Sequence, residues 1–375
     1  MKILLLSAYD AASHQRWRQQ LQAHLPQYQW TQLSLPPRYF NWRLRGNSLS
    51  WAFGQREILQ ADYDLLIATS MVDLSALRGF VPKLAQLPTL VYFHENQFAY
   101  PVNDQQFNSV EPQMLSFYTA LCGDALVFNS SFNRQSFFAG LSRLLVKLPD
   151  QVPKGLVEVL QARARVLPVP VELHKAEIQV RNNSLLTLVW NHRWEYDKGP
   201  DRLLAMLQRF FALCPSTPTQ PSIRLHLLGQ RFRQQPPAFD QIKHLLTEQG
   251  ALGTWGYVED QYQYQQLLQE SHLVLSTALH DFQGLAVMDG VAAGAIPLVP
   301  ARQAYPEWFA PEFCYPGYPD NPEQEAEAMA QALYRYWLAF QSGDLPQAPS
   351  LEHLSWSRLL PEYQALIHQL TGRDL

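Results

Sequence analysis

The chain has no run of about 18 uninterrupted apolar residues, so nothing in it predicts a membrane-spanning helix. Its three cysteines, Cys122, Cys214 and Cys314, contain no Cys-x-x-Cys pair. That argues against a disulfide framework or a zinc ribbon and fits buried thiols in a reducing, cytoplasmic compartment. There is no Gly-x-Gly-x-x-Gly, no P-loop lysine motif and no Gly-x-Ser-x-Gly elbow. These absences disfavour dinucleotide oxidoreductases, P-loop phosphoryl transfer and serine hydrolysis. Charged residues are few, at 17%. The first ten residues hold an apolar run too short for a secretory signal, closed by Asp10, and read as a buried first strand.

What is present is apolar side chain, 47% of 375 residues, enough for two packed cores. Strand-like runs at 3–6, 64–68, 89–93, 125–128 and 165–169 alternate with helix-length amphipathic stretches. The rhythm resumes with runs at 185–190, 224–228, 253–255, 273–276 and 296–299, separated by helices such as 201–214 and 260–271. This predicts an α/β chain of two Rossmann-like domains facing across a cleft, each a parallel sheet wound by helices. Pro168, Pro170 and the polar stretch 175–184 mark the linker. The expected domains are 1–174 and 175–345, with 346–375 as a C-terminal helix crossing back to the first.

The net charge of −4 is unevenly spread. Residues 1–60 carry seven basic and two acidic side chains, whereas residues 301–375 carry four and ten. The segment 37–45 interleaves Arg38, Arg43 and Arg45 with Tyr39, Phe40 and Trp42. Composition alone favours a solvated loop there, although the pairing also suits phosphate contact with base stacking.

Three constellations carry chemistry. In residues 276–300 a strand ends near Ser276, a loop holds His280 and Asp281, and a helix opens near Gly284. A helix mouth with a glycine offers free N–H groups to a phosphate. Seven residues separate Asp281 from Asp289, about two helical turns, which predicts that both face one way. Each alone reads as a helix cap or a solvated carboxylate. In residues 190–201, Arg193 gives a planar fork and Lys198 a point charge, both suited to a departing diphosphate; salt bridges to Glu195 and Asp197 are the bland alternative. In residues 91–101, His94, Glu95, Asn96 and Gln97 follow a buried strand, where they can orient an acceptor hydroxyl. Phe98 stands where a zinc protease needs its second histidine, so that class is excluded.

The arginine–lysine pair followed by spaced acids resembles glycosyltransferase family 4, retaining enzymes of the two-lobed GT-B fold. More narrowly, the chain resembles the tRNA-queuosine mannosyltransferases. The residues that carry this are Ser13-His14, residues 41–45, residues 92–97 with Tyr100-Pro101, Phe128-Asn129-Ser130, residues 192–198, Trp255-Gly256-Tyr257, Ser276-Thr277, residues 280–289 and Tyr305-Pro306-Glu307. The resemblance implies GDP-mannose as donor and the cyclopentene-diol of queuosine in a tRNA anticodon loop as acceptor. It implies that Arg193 and Lys198 hold the diphosphate, with backbone near Phe282, Gly284 and Leu285, while Asp289 holds the ribose. His94 and Asp281 would act at the transferred sugar, and Ser13, His14, Arg43, Arg45, Glu95, Asn96 and Gln97 would meet the acceptor. No metal or other cofactor is implied. Both acids are aspartates where the larger family usually has glutamates, which predicts longer or water-mediated contacts. Ala11-Ala12 replaces paired glycines of the relatives, and alanine disfavours positive φ. The other readings are a family 4 enzyme with a glycan, lipid or small-molecule acceptor, and a non-catalytic nucleotide-sugar or RNA-binding protein. The sugar, the particular tRNA and the oligomeric state are not legible in the residues.

Overall fold

The computed structural model describes residues 1–100, 109–173, 181, 184–214, 223–230 and 235–372. Contacts divide the chain into two units, Met1–Pro170 with Trp356–Leu375, and Val171–Ser355.

The first unit runs β1 (Lys2–Ser7), α1 (Ala12–His24), β2 (Gln29–Ser34), α2 (Phe40–Gly54), α3 (Arg56–Leu59), β3 (Leu65–Thr69), α4 (Leu74–Phe80), β4 (Thr89–Phe93), α5 (Glu111–Leu121), β5 (Ala125–Phe128), α6 (Ser131–Lys147), α7 (Leu156–Ala162) and β6 (Ala164–Val166). Its six parallel strands lie in the order β2-β1-β3-β4-β5-β6, with Ile3 paired to both Trp30 and Leu65. The inner strands β3, β4 and β5 are buried at every residue, as apolar runs covered on both faces must be. β2 lies at the edge and is only half-buried; its Gln-Trp-Thr-Gln-Leu-Ser sequence is too polar to stand out as a strand.

The second unit runs β7 (Leu186–Trp190), α8 (Pro200–Leu213), β8 (Ile223–Leu228), α9 (Ala238–Glu248), β9 (Leu252–Gly256), α10 (Gln261–Glu270), β10 (Leu273–Leu275), α11 (Leu285–Ala292), β11 (Ile296–Pro300), α12 (Tyr305–Trp308), β12 (Cys314–Tyr315) and α13 (Pro322–Ser342). Its strand order is β12-β11-β10-β7-β8-β9, again parallel. α8 shows why the helices dock: Leu203, Met206, Leu207 and Phe210 recur at helical spacing and are buried. Side-chain caps begin several helices, among them Asp73 on α4, Ser130 on α6 and Asp260 on α10.

The last helix, α14 (Trp356–Thr371), belongs to the first unit. Trp356 stacks on His24 at 4.3 Å and donates to Gln20 at 3.2 Å. Tyr363 reaches the core, taking a hydrogen bond from Trp17 (3.2 Å) and donating to the Pro168 carbonyl (2.9 Å). Among the described residues no helix is long and apolar enough to cross a membrane.

Candidate active site

In each sheet the polar residues of interest follow the carboxyl ends of the strands, where parallel α/β sheets bind ligands. In the second unit the segments after β7 and β10 are laced together. The carbonyl of Asp197 accepts the N–H groups of Leu279 (2.8 Å) and His280 (3.2 Å), and Thr277 donates to the Lys198 carbonyl (2.8 Å). Gly199, at φ +65, permits the crossing: a Cβ there would meet the Thr277 carbonyl oxygen at 2.2 Å.

This lacing buries Lys198, whose Nζ lies 2.7 Å from the His280 carbonyl, 3.0 Å from Asp197 Oδ2 and 3.7 Å from Asp281 Oδ2. Burial opposes its charge, but Asp281 and Asp197 outweigh it and hold the ammonium above the ordinary lysine value. Burial likewise pushes Asp197 up, and Lys198 and Arg193 overcome it, so that carboxyl is held low. The pair is therefore ionised across the physiological range. Arg193 and Glu195 also pair, at 3.0 Å, with Arg193 40% exposed and open to a ligand. The salt bridges anticipated as the bland alternative are thus present, but the one at Lys198 is buried and touches Asp281.

Asp281 is held from three directions. Its N–H donates to Gln303 Oε1 at 2.6 Å, and Gln303 Nε2 in turn donates to the Leu279 carbonyl at 2.7 Å. The Tyr305 hydroxyl donates to Asp281 Oδ2 at 3.1 Å and sits 2.8 Å from Ser276 Oγ. Arg302, clamped to buried Glu325, donates to the Ala278 carbonyl at 2.7 Å and braces the same loop. His280 and His192 are buried and pushed down to about 4, chiefly by desolvation, so both are neutral imidazoles at pH 7.

The two-turn argument for Asp281 and Asp289 does not hold as stated. α11 begins only at Leu285, after Gly284 at φ +81, so Asp281 lies in the loop before the helix. Asp289 is half-buried with Leu285, Ala286 and Ala292 on one stripe of α11, one turn beyond its mouth. Gly284 must be bare, since a Cβ would meet the Tyr305 ring at 2.7 Å. Phe282 is buried against the His280 ring at 4.3 Å.

In the first unit the cluster is aromatic. His94, leaving the end of β4, lies with ring centroids 4.1 Å from His14, 4.6 Å from Tyr92 and 4.8 Å from Trp17. Desolvation, with His14 adding to it, holds His94 well below the usual histidine value. Its Nε2 has no hydrogen-bond partner among the described residues. The backbone of 93–94 is fixed by asparagines: Asn133 donates to the Phe93 carbonyl and Asn129 to the His94 carbonyl, each at 2.8 Å. Ser13 lies 3.4 Å from His14 Nδ1 at the start of α1. Ala11 takes an ordinary φ of −63, so the loop before α1 needs no glycine.

The remaining acceptor candidates separate. Asn96 is fully buried, its amide donating to Asn133 Oδ1 (2.8 Å) and Ser136 (2.9 Å) while its oxygen accepts two backbone N–H groups. It shapes the loop rather than facing a ligand. Glu95 and Gln97 are half-buried. Residues 40–45 are not a loop but the first turns of α2, which buries Arg43 with its Nε toward the Pro36 carbonyl at 3.4 Å. Arg45 is partly exposed and bound to Asp73 (3.0 Å) and to Glu111. Gln303 escapes sequence reasoning altogether, because a glutamine 22 residues from the loop it pins has no spacing signal. Tyr305 had one, the Tyr305-Pro306-Glu307 motif.

Residues 2–171 match the family model "tRNA-queuosine alpha-mannosyltransferase N-terminal". A tRNA-queuosine alpha-mannosyltransferase of Drosophila melanogaster is 28% identical over 315 residues, 81% of this chain and 78% of that protein. Among solved structures, a sucrose-phosphate synthase from Thermosynechococcus elongatus superposes with a TM-score of 0.65 at 14% identity, each chain covered completely. An alpha,alpha-trehalose-phosphate synthase from Burkholderia xenovorans gives 0.62 at 13% identity, over 98% of this chain and 99% of that one. By these likenesses the chain has the fold of the GT-B glycosyltransferases, and its first 171 residues are similar to the N-terminal part of the tRNA-queuosine alpha-mannosyltransferases.

Proposed function

We propose that this enzyme moves mannose from GDP-mannose to the cyclopentene-diol of queuosine in the anticodon loop of a tRNA, with retention at the anomeric carbon. The observation that carries the transfer chemistry is the buried Lys198, ionised between Asp197 and Asp281 beside the exposed fork of Arg193. The likeness of residues 2–171 to the tRNA-queuosine alpha-mannosyltransferase N-terminal model supports the acceptor.

In this reading Arg193 and Lys198 take the diphosphate as it departs, together with N–H groups of Phe282, Gly284 and Leu285 at the mouth of α11. Asp289 accepts from the ribose and Asp281 from the hydroxyls of the transferred sugar. An acceptor hydroxyl attacks the anomeric carbon from the face the diphosphate leaves. The carbon–oxygen bond to phosphate breaks, the new glycosidic bond forms, and the departing phosphate oxygen takes the proton. His94 contributes as a neutral ring at the reacting face; Ser13, His14, Glu95, Gln97 and Arg45 meet the acceptor. In this reading fixed cations neutralise the leaving group without a metal, and a tRNA acceptor supports a cytoplasmic location.

The test is incubation with GDP-mannose and queuosine-bearing tRNA, with chelator present, followed by mass analysis of the nucleosides. A gain of one hexose on queuosine is expected. An unmodified nucleoside beside a donor that is still hydrolysed would move the acceptor to another class. No turnover of the donor, and none affected by Asp281→Ala, would reduce the chain to a binding protein.

A further inference from the structure

We infer that Trp42 is a stacking platform for an unpaired nucleobase of the RNA acceptor. This rests on the tRNA reading above and adds to it a residue and a surface. Trp42 lies in the first turn of α2 and is 53% exposed. One face of its indole is set on bare backbone: a Cβ built on Gly46, one turn later, would come within 2.4 Å of Trp42 Cε2 and 2.6 Å of Cδ2. The absent side chain at 46 lets the ring lie flat along the helix, which fixes its orientation and leaves area open to solvent. A flat, immobilised ring with an open face is what an unstacked base needs, and every base has a π-face to offer.

The surroundings supply the charge. The Arg38 guanidinium stands 5.6 Å over the Tyr39 ring, and Tyr39 is 70% exposed. Tyr39 is held at φ +56, a conformation that costs a bulky residue energy and that the packing around it must maintain. Arg45 follows Trp42 by three residues, its side chain 44% exposed while it pairs with Asp73 and Glu111. The first 60 residues hold seven basic and two acidic side chains. Cations that attract phosphate beside rings that stack on bases suit single-stranded nucleic acid. Leu49 and Phe53 continue the exposed stripe of α2, and a second copy of this chain is the rival occupant they would favour.

The test compares binding of a labelled RNA hairpin with an unpaired loop to that of a fully paired duplex, for the full-length protein and three variants. Trp42→Ala should weaken the hairpin about tenfold and leave the weaker, charge-driven duplex affinity in place. Gly46→Ala, which keeps the indole but lifts it, should weaken the hairpin as well, and Trp42→Phe should recover most of the loss. Equal hairpin affinity in wild type and Trp42→Ala overturns the platform while leaving the tRNA reading intact. A wild-type protein that binds no hairpin overturns both. A fall in solution mass of Trp42→Ala by light scattering assigns the surface to a second copy and overturns the inference.

Discussion

The two units hold their candidate catalytic groups by opposite means. In the second, charge is fixed by charge and by backbone: Lys198 sits between Asp197 and Asp281, and the loop carrying Asp281 is tied by Gln303, Tyr305 and Arg302. In the first, a neutral ring is fixed by rings: His94 lies among His14, Tyr92 and Trp17, with Nε2 left unbonded among the described residues. The difference follows from the work assigned to each. A leaving diphosphate carries charge that fixed ions stabilise without reorganising. In the proposed transfer an acceptor hydroxyl is neutral until it attacks, and a desolvated, neutral imidazole is the group that meets it.

The comparison breaks most sharply at Lys198. Lys198→Ala leaves the half-buried Asp197 and Asp281 carboxylates without the cation they share, so kcat/KM should fall about a thousandfold and thermal stability should drop clearly. A loss below tenfold would mean that Arg193 alone carries the diphosphate. His94→Gln should cost about a hundredfold in kcat with little change in KM for the donor. The pH profile of the wild type separates the two units further. Since His94 is held well below its ordinary value, its ring is already neutral at pH 6.5, and the activity should show no histidine titration between pH 6.5 and 8. Stability should respond instead. Unfolded histidines take up protons as pH falls through about 6.5 while the buried ones do not, so melting temperature should decline from pH 7 to 5. His192, His226, His272 and His280, each pushed down to about 4, place most of that decline in the second unit. A melting temperature flat over this range would mean that these rings are solvated.

The charged half of the site was readable in the sequence because charges announce themselves by type and by place after a strand. Arg193, Lys198 and Asp281 need only the turn after β7 and the loop after β10 to meet. Inner strands such as β4 were readable for the same kind of reason, since burial on both faces demands an unbroken apolar run. The edge strand β2 was not, because half-burial permits Gln29 and Gln32 within it. Arg43 was misleading: its charge suggested solvent, yet α2 buries it with its Nε toward the Pro36 carbonyl at 3.4 Å. Trp17, Tyr92 and Tyr363 looked like core residues and are core residues; that they also frame His94 depends on ring positions far apart in the chain, which no local spacing encodes.

Two tyrosines sharpen the contrast at finer scale. Tyr305→Phe removes a hydroxyl that donates directly to Asp281 Oδ2 at 3.1 Å. About tenfold should be lost from kcat/KM, with Tyr305→Trp no rescue because Ser276 and Gly284 leave no space for it. Tyr363→Phe acts one step further off. It removes the acceptor for Trp17 Nε1 and the donor to the Pro168 carbonyl, leaving buried polar groups unpaired at a cost of about 1 to 3 kcal/mol. The His94 box should survive in outline, because Tyr92 still donates to the Leu167 carbonyl at 2.8 Å. The melting temperature should therefore fall by a few degrees while kcat changes no more than about threefold. A larger loss of kcat at full occupancy of the fold would show that ring packing in the first unit positions His94 as strictly as the ion pairs of the second position Asp281.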